Sequence, residues 1–164
     1  MQRAELKTAN WRARQRGFSM VELVIVLAVV MIMAAISMPM LRGTLEGIRF
    51  RGAVTTTTSA IQTTRFQAIR DGLRHAILFS GGANNASYQI SRQPVAGGAF
   101  VNVGAPVQVG SGLATYSANT RMEFLPNGTV TPTVGALNFQ ISYGTNPANT
   151  RTITVSRVGH VQVQ

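Results

Sequence analysis

Glu22 is a carboxylate set into an apolar run, four residues after Phe18, in the order Arg16-Gly17-Phe18-Ser19-Met20-Val21-Glu22-Leu23. That spacing carries one kind of chemistry. Cutting the chain between Gly17 and Phe18 creates an amino group on Phe18, one helical turn before the acid. The first turn of a helix also favours an anion. In a bundle of parallel helices, the carboxylate of one chain can neutralise the Phe18 amine of its neighbour. In an apolar surround such a pair sets register rather than adding net stability.

Little else in the chain suits catalysis. Past the apolar run there are His75 and His160 and the acids Glu46, Asp71 and Glu123, no two of the acids near in sequence. There is no His-x-x-x-His pair, phosphate-binding loop or nucleophile elbow. His75 opens a strand and His160 follows a turn, and exposed polar residues account for both. The absence of cysteine removes disulfides and thiolate ligation. No catalytic residue, metal site or cofactor is expected, and the chain reads as a non-enzyme.

Charge is the other resource. The net charge is +10, unevenly placed. Arg3, Lys7, Arg12, Arg14 and Arg16 precede Gly17, against Glu5 alone. From Arg42 onward ten arginines face three acids, a balance of +7 (10 − 3), with no lysine. Such an excess either attracts an anionic partner or serves solubility, with arginines paired at subunit contacts.

The element that must position Glu22 is the run from Val21 to Met38, interrupted only by Glu22 and Ser37. As a helix it reaches roughly 27 Å, close to a hydrocarbon core of about 30 Å. The five leader cations outnumber Arg42, Arg49 and Arg51 beyond the run, predicting a cytoplasmic N-terminus and an external C-terminal part. Three readings compete. One is a signal peptide cut after a small residue such as Ser37, with Ala35 two positions earlier. Another is a plain membrane anchor. In both, Glu22 is an unexplained cost of about 2.5–3.5 kcal/mol at a helix centre, less near an end. The third, a cut before Phe18, gives the acid a role.

Gly17-Phe18-Ser19-Met20-Val21-Glu22 and the apolar run resemble the type IV prepilin (class III) cleavage signal, and Pro39 sits where many pilin helices carry a proline. The resemblance implies cleavage between Gly17 and Phe18 by a prepilin peptidase and N-methylation of Phe18. It also implies packing of the helix at the centre of a filament, with Phe18, Glu22 and Pro39 as assembly residues. The chain then divides into a leader peptide at 1–17, a transmembrane and assembly helix at 18–41, an amphipathic spine helix at 42–72 and a β-rich periplasmic head at 73–164.

Pro39 predicts a kink or short break, and Gly43, Gly47 and Gly52 each weaken the helix by about 1 kcal/mol relative to alanine. Beyond them Phe50, Val54, Thr57, Ile61, Thr64 and Ala68 recur at steps of four and three, an amphipathic seam diluted by two threonines. Gly72 fits a C-terminal cap. From His75 the pattern alternates, predicting strands at 75–80, 87–91, 99–103, 113–117, 122–125, 129–134, 137–143, 150–157 and 160–163. Asn127-Gly128 is the strongest hairpin signal, and register between 81 and 117 is not readable. The expected fold class is α+β, a long N-terminal helix packed on an antiparallel β-sheet head.

Three stretches add a second resemblance. Thr64-Arg65-Phe66-Gln67-Ala68-Ile69-Arg70-Asp71-Gly72, Met122-Glu123-Phe124-Leu125-Pro126-Asn127-Gly128 and Ile153-Thr154-Val155-Ser156-Arg157-Val158-Gly159 are similar, in that order, to segments of the GspH/FimT family of minor pseudopilins. This implies a minor pseudopilin of a type II secretion system, anchored in the inner membrane by a single pass, assembling into a periplasmic pseudopilus that assists protein export. The alternative it implies is a minor pilin of a type IV pilus, priming the fibre or serving motility or DNA uptake. Implied partners are prepilin peptidase, other pseudopilins or pilins and the inner membrane, with nucleic acid the weaker alternative. Some family members bind DNA through a Gly-Arg-x-Arg tail, but here the matching residues are Gly159-His160-Val161-Gln162. Arg151 and Arg157 remain candidate contacts to an anionic partner, with salt-sensitive binding expected if the partner is nucleic acid. The altered tail favours secretion over DNA capture.

Overall fold

Ser19 starts the helix. Its hydroxyl accepts the Val21 N–H at 3.3 Å and its carbonyl accepts the Leu23 N–H at 3.1 Å, relieving donors that the first turn leaves orphaned. Helix α1 then runs over Met20–Asp71. The computed structural model describes residues 17–82 and 85–164, with the side chains of 39–42 outside that description. Most of the expected leader, residues 1–16, therefore lies outside the described residues. Pro39 is helical, so the short break expected there is not found. A proline deletes one donor, and the hydrogen bonds on either side suffice to continue the helix.

At the other end Gly72 adopts φ +65°, the left-handed cap that a Cβ would strain. Asp71 opposes the helix dipole at that end. Arg70 donates Nε to it at 2.9 Å, and this bond holds its carboxyl below the usual carboxylate range. His75 Nε2 lies 3.4 Å from the same carboxylate, and its Nδ1 lies 3.3 Å from the Leu73 carbonyl. Expected to be exposed, His75 is instead buried, with an acceptor near each of its ring nitrogens.

Contacts divide the chain into two units, Met1–Leu41 and Arg42–Gln164. In the first, α1 is exposed at every described position, with a mean hydropathy of 2.7 in its most apolar 18-residue window. The second carries the head, all of whose strand pairs are antiparallel. Its strands are β1 (His75–Ser80), β2 (Ser87–Arg92), β3 (Val101–Asn102), β4 (Val107–Gln108) and β5 (Ala114–Tyr116). They continue with β6 (Thr120–Phe124), β7 (Val130–Val134), β8 (Asn138–Tyr143), β9 (Thr150–Val155) and β10 (Val161–Val163). The helix-on-antiparallel-strand architecture is as expected, with the strands shared between two sheets. One has the order β3-β2-β1-β6-β7 with β4 also on β2, and the other β10-β9-β8-β5.

Both sheets and the seam of α1 share one core. Phe79 of the first sheet meets Tyr116 at 5.3 Å and Phe139 at 5.0 Å between ring centroids, and those two belong to the second sheet. From α1, Phe50, Thr57, Ile61, Thr64 and Ala68 are buried as the seam predicts, joined by Ala53 and Ala60. Val54 is half-buried. The two seam threonines leave no donor stranded. Thr57 Oγ1 donates to the Ala53 carbonyl at 2.9 Å and Thr64 Oγ1 to the Ala60 carbonyl at 2.7 Å. With its proton so used, Thr57 Oγ1 accepts from the Tyr116 hydroxyl at 2.8 Å.

Candidate functional site

The residues singled out around the apolar run sit together at the head of α1. Gly17 and Phe18 are exposed and lie before the helix begins, so the bond between them is presented on non-helical backbone. Phe18 is 78 % exposed, and the side chains that follow it on α1 have no cover from the chain itself. Glu22 falls in the first turn. Counting from Ser19 as N-cap, it occupies the third helical position, so Ser19-Met20-Val21-Glu22 has the spacing of a capping box. The sequence carried that second signal, overlooked beside the stronger one. The serine caps the Val21 N–H rather than that of Glu22, so a simple cap is formed and not the reciprocal box. Among the described residues no hydrogen bond or ion pair engages the Glu22 carboxylate.

Farther along α1, the three stretches of the second resemblance meet at one point. Arg65 Nε donates to the Gly128 carbonyl at 3.1 Å. Gly128, at φ +80°, closes the turn in which its N–H bonds the Leu125 carbonyl at 2.8 Å. Gly159, at φ +78°, lies over the Arg65 side chain, and a Cβ there would collide with Arg65 and come within 3.0 Å of the Gly128 carbonyl. The neighbouring Val130 N–H donates to the Arg157 carbonyl at 2.8 Å. Helix, β6–β7 hairpin and β9–β10 turn are thus locked by an arginine threaded between two glycines. These residues hold the head together.

Arg151 and Arg157 are both exposed, but Arg151 lies near the start of β9 and Arg157 in the turn beyond its end, so they do not form one site. Arg151 instead shares an open groove with Arg51, the side chain that sequence reasoning missed. No spacing could have paired them, since one is on α1 and the other on β9. The Arg151 guanidinium lies 6.0 Å from the Phe50 ring centroid. His160 is exposed and lines a separate groove with Gln62, Arg65, Phe66 and Val158. Among the described residues no group of three or more His, Cys, Asp or Glu is placed to hold a metal.

Comparison with known proteins agrees with the order of these features. The prokaryotic N-terminal methylation motif matches residues 12–38. The family described as type II transport protein GspH matches residues 53–159, more than half of the chain. No curated protein matches. Among solved structures, the chain is similar to the type IV minor pilin FimU of Pseudomonas aeruginosa, at 17 % identity and a TM-score of 0.47, covering 70 % of this chain and 91 % of that one. With a methylation motif on its apolar helix and the family's model spanning spine and head, the chain belongs to the GspH family of type II transport proteins.

Proposed function

We propose that this protein is a minor pseudopilin of a type II secretion system, a structural subunit and not an enzyme. It is held in the inner membrane by α1 with its N-terminus in the cytoplasm and its head in the periplasm. Prepilin peptidase cuts it between Gly17 and Phe18 and methylates the new Phe18 amine. The subunit then leaves the bilayer for a short periplasmic filament that assists export. Within the filament Glu22 of one chain neutralises the Phe18 amine of another, and Pro39 shapes the helix beyond.

The observation that carries this reading is the uncovered apolar length of α1 with a free carboxylate in its first turn. A helix so exposed needs lipid or other helices around it. An acid there is costly unless a cation comes to it. The match to the GspH family supports a pilin-like filament subunit, and the altered tail Gly159-His160-Val161-Gln162 favours export over DNA capture. The deciding experiment deletes the gene and scores exoprotein export against twitching and transformation. Lost export with normal motility is expected; normal export with lost motility would make it a type IV minor pilin instead. Mass spectrometry of the purified subunit should find a mature chain beginning at Phe18 with one extra methyl. An N-terminus after Ser37, or an intact leader in cells with active peptidase, overturns the processing.

A further inference from the structure

We propose that the groove between α1 and the β9–β10 side of the head docks an acidic segment of a different filament subunit, with Arg51 and Arg151 as its paired cationic contacts. This rests on the reading of the chain as a filament subunit. The groove has a volume of about 460 Å³, and Phe50, Arg51, Val54, Asn149, Arg151 and Val163 are among its walls. Both arginines are exposed, and among the described residues neither forms an ion pair. Arg151 spends one donor on its neighbour's carbonyl, Nη1 to Thr150 O at 2.9 Å. A guanidinium carries five donors in a planar fork that matches a carboxylate. Two such forks line one groove beside Val54 and Val163.

Charge decides which chain supplies the acid. The unit Arg42–Gln164 contains Glu46, Asp71 and Glu123 as its acids. Asp71 is engaged by Arg70 and His75, and Glu123 lies 3.6 Å from Arg121. A second copy could offer only Glu46, which shares its stretch of α1 with Arg49 and Arg51. It would also bring its own +7 (10 − 3) against this one, and like charges across an interface select against a partner. The complementary surface therefore belongs to a different, acidic subunit.

Chemistry separates protein from nucleic acid. Single strands bind where exposed rings stack bases beside a track of cations. Here the ring beside the arginines, Phe50, is 5 % exposed and already lies under Arg151. Arg157, which a track along β9 would need, lies in the turn beyond that strand. A segment bearing Asp or Glu meets both guanidinium forks without needing an exposed ring.

The test uses the full chain in membranes of cells with active peptidase, with a photo-crosslinking residue at Thr55, an exposed wall of the groove. The expected product joins Thr55 to another subunit carrying a prepilin leader, at a segment that mass spectrometry finds rich in Asp and Glu. Arg51→Gln should lower its yield by about tenfold, the loss of roughly one charge-assisted hydrogen bond. Arg157→Gln should leave it unchanged. Because Arg151→Gln also uncovers Phe50, the deciding variant is the one at the exposed Arg51. Replacing the mapped acid by arginine should restore the product when combined with Arg51→Glu. Cross-links confined to a second copy, to nucleic acid or to lipid overturn the proposal, as does a yield indifferent to Arg51→Gln or no product from an incorporated chain. Phe18 methylation and filament incorporation are read in the same cells. Their loss in the unsubstituted chain overturns the filament reading itself; their presence without the expected product overturns only the groove.

Discussion

Thr57 and Tyr116 show how much one hydroxyl depends on the direction of its bond. The Thr57 proton goes to the Ala53 carbonyl at 2.9 Å, leaving Tyr116 to donate at 2.8 Å. Tyr116→Phe then removes a donor from an oxygen that keeps its other bond, and should cost about 1 kcal/mol. Thr57→Val strands the buried Tyr116 hydroxyl and should cost more, about 2–3 kcal/mol. Denaturant midpoints of the two variants test the order, and the reverse order would refute the assignment of donor and acceptor. Burial also pushes the Tyr116 hydroxyl up to about 12 from an ordinary value of about 10. Its contribution to stability is therefore complete below the unfolded value, and falls as pH rises from there toward the folded one, where the unfolded chain ionises first. The loss is on the order of 2 kcal/mol. Comparing unfolding of the parent and Tyr116→Phe across that range should show a steeper decline in the parent.

At the scale of elements, what could be read from the sequence depended on whether its cause was local. Gly72 ends α1 and β1 starts at His75 as read, because a left-handed glycine and a switch in period are written in neighbouring residues. The seam was legible at Phe50, Thr57, Ile61, Thr64 and Ala68, while Ala53 and Ala60 were passed over because alanine fits either face. β4 escaped notice: it is two residues long, follows Pro106 and pairs with Ser87 and Tyr88. The expected hairpin at Asn127-Gly128 exists. Leu125 and Thr129 close it, with Pro126 inside and Gly128 at φ +80°, the three-residue connection left between the expected strands 122–125 and 129–134. The division into two sheets was illegible because β5 leaves its chain neighbours to pair with β8. Nor does any spacing reveal that Arg65, Gly128 and Gly159 belong to one lock. Gly159→Ala should destabilise the head by about 1–3 kcal/mol, through backbone strain and displacement of Arg65. Thermal unfolding measures it, and a Tm equal to the parent's would show that the three residues lock nothing.

For the whole molecule, the N-terminal methylation motif was the most legible part, since it lies in a few adjacent residues and in hydropathy. The arginine groove was the least, since α1 and β9 bring it together from distant parts of the chain. Glu22→Ala should be inserted and cut normally, yet enter filaments at a small fraction of the parental level. Shearing the filaments and blotting for the subunit checks this, and parental incorporation would count against the Glu22–Phe18 pairing. Thr57 and Thr64 have one more consequence, in the order of synthesis. Every strand that covers α1 leaves the ribosome after it, so the seam waits bare in water while the head is still being made. A fully aliphatic seam would invite aggregation during that interval. Hydroxyls that turn back onto Ala53 and Ala60 make the waiting helix less adhesive, and leave nothing unsatisfied once Phe79 and Tyr116 arrive. A stripe too polar to look like a good core is what allows the core to be completed late.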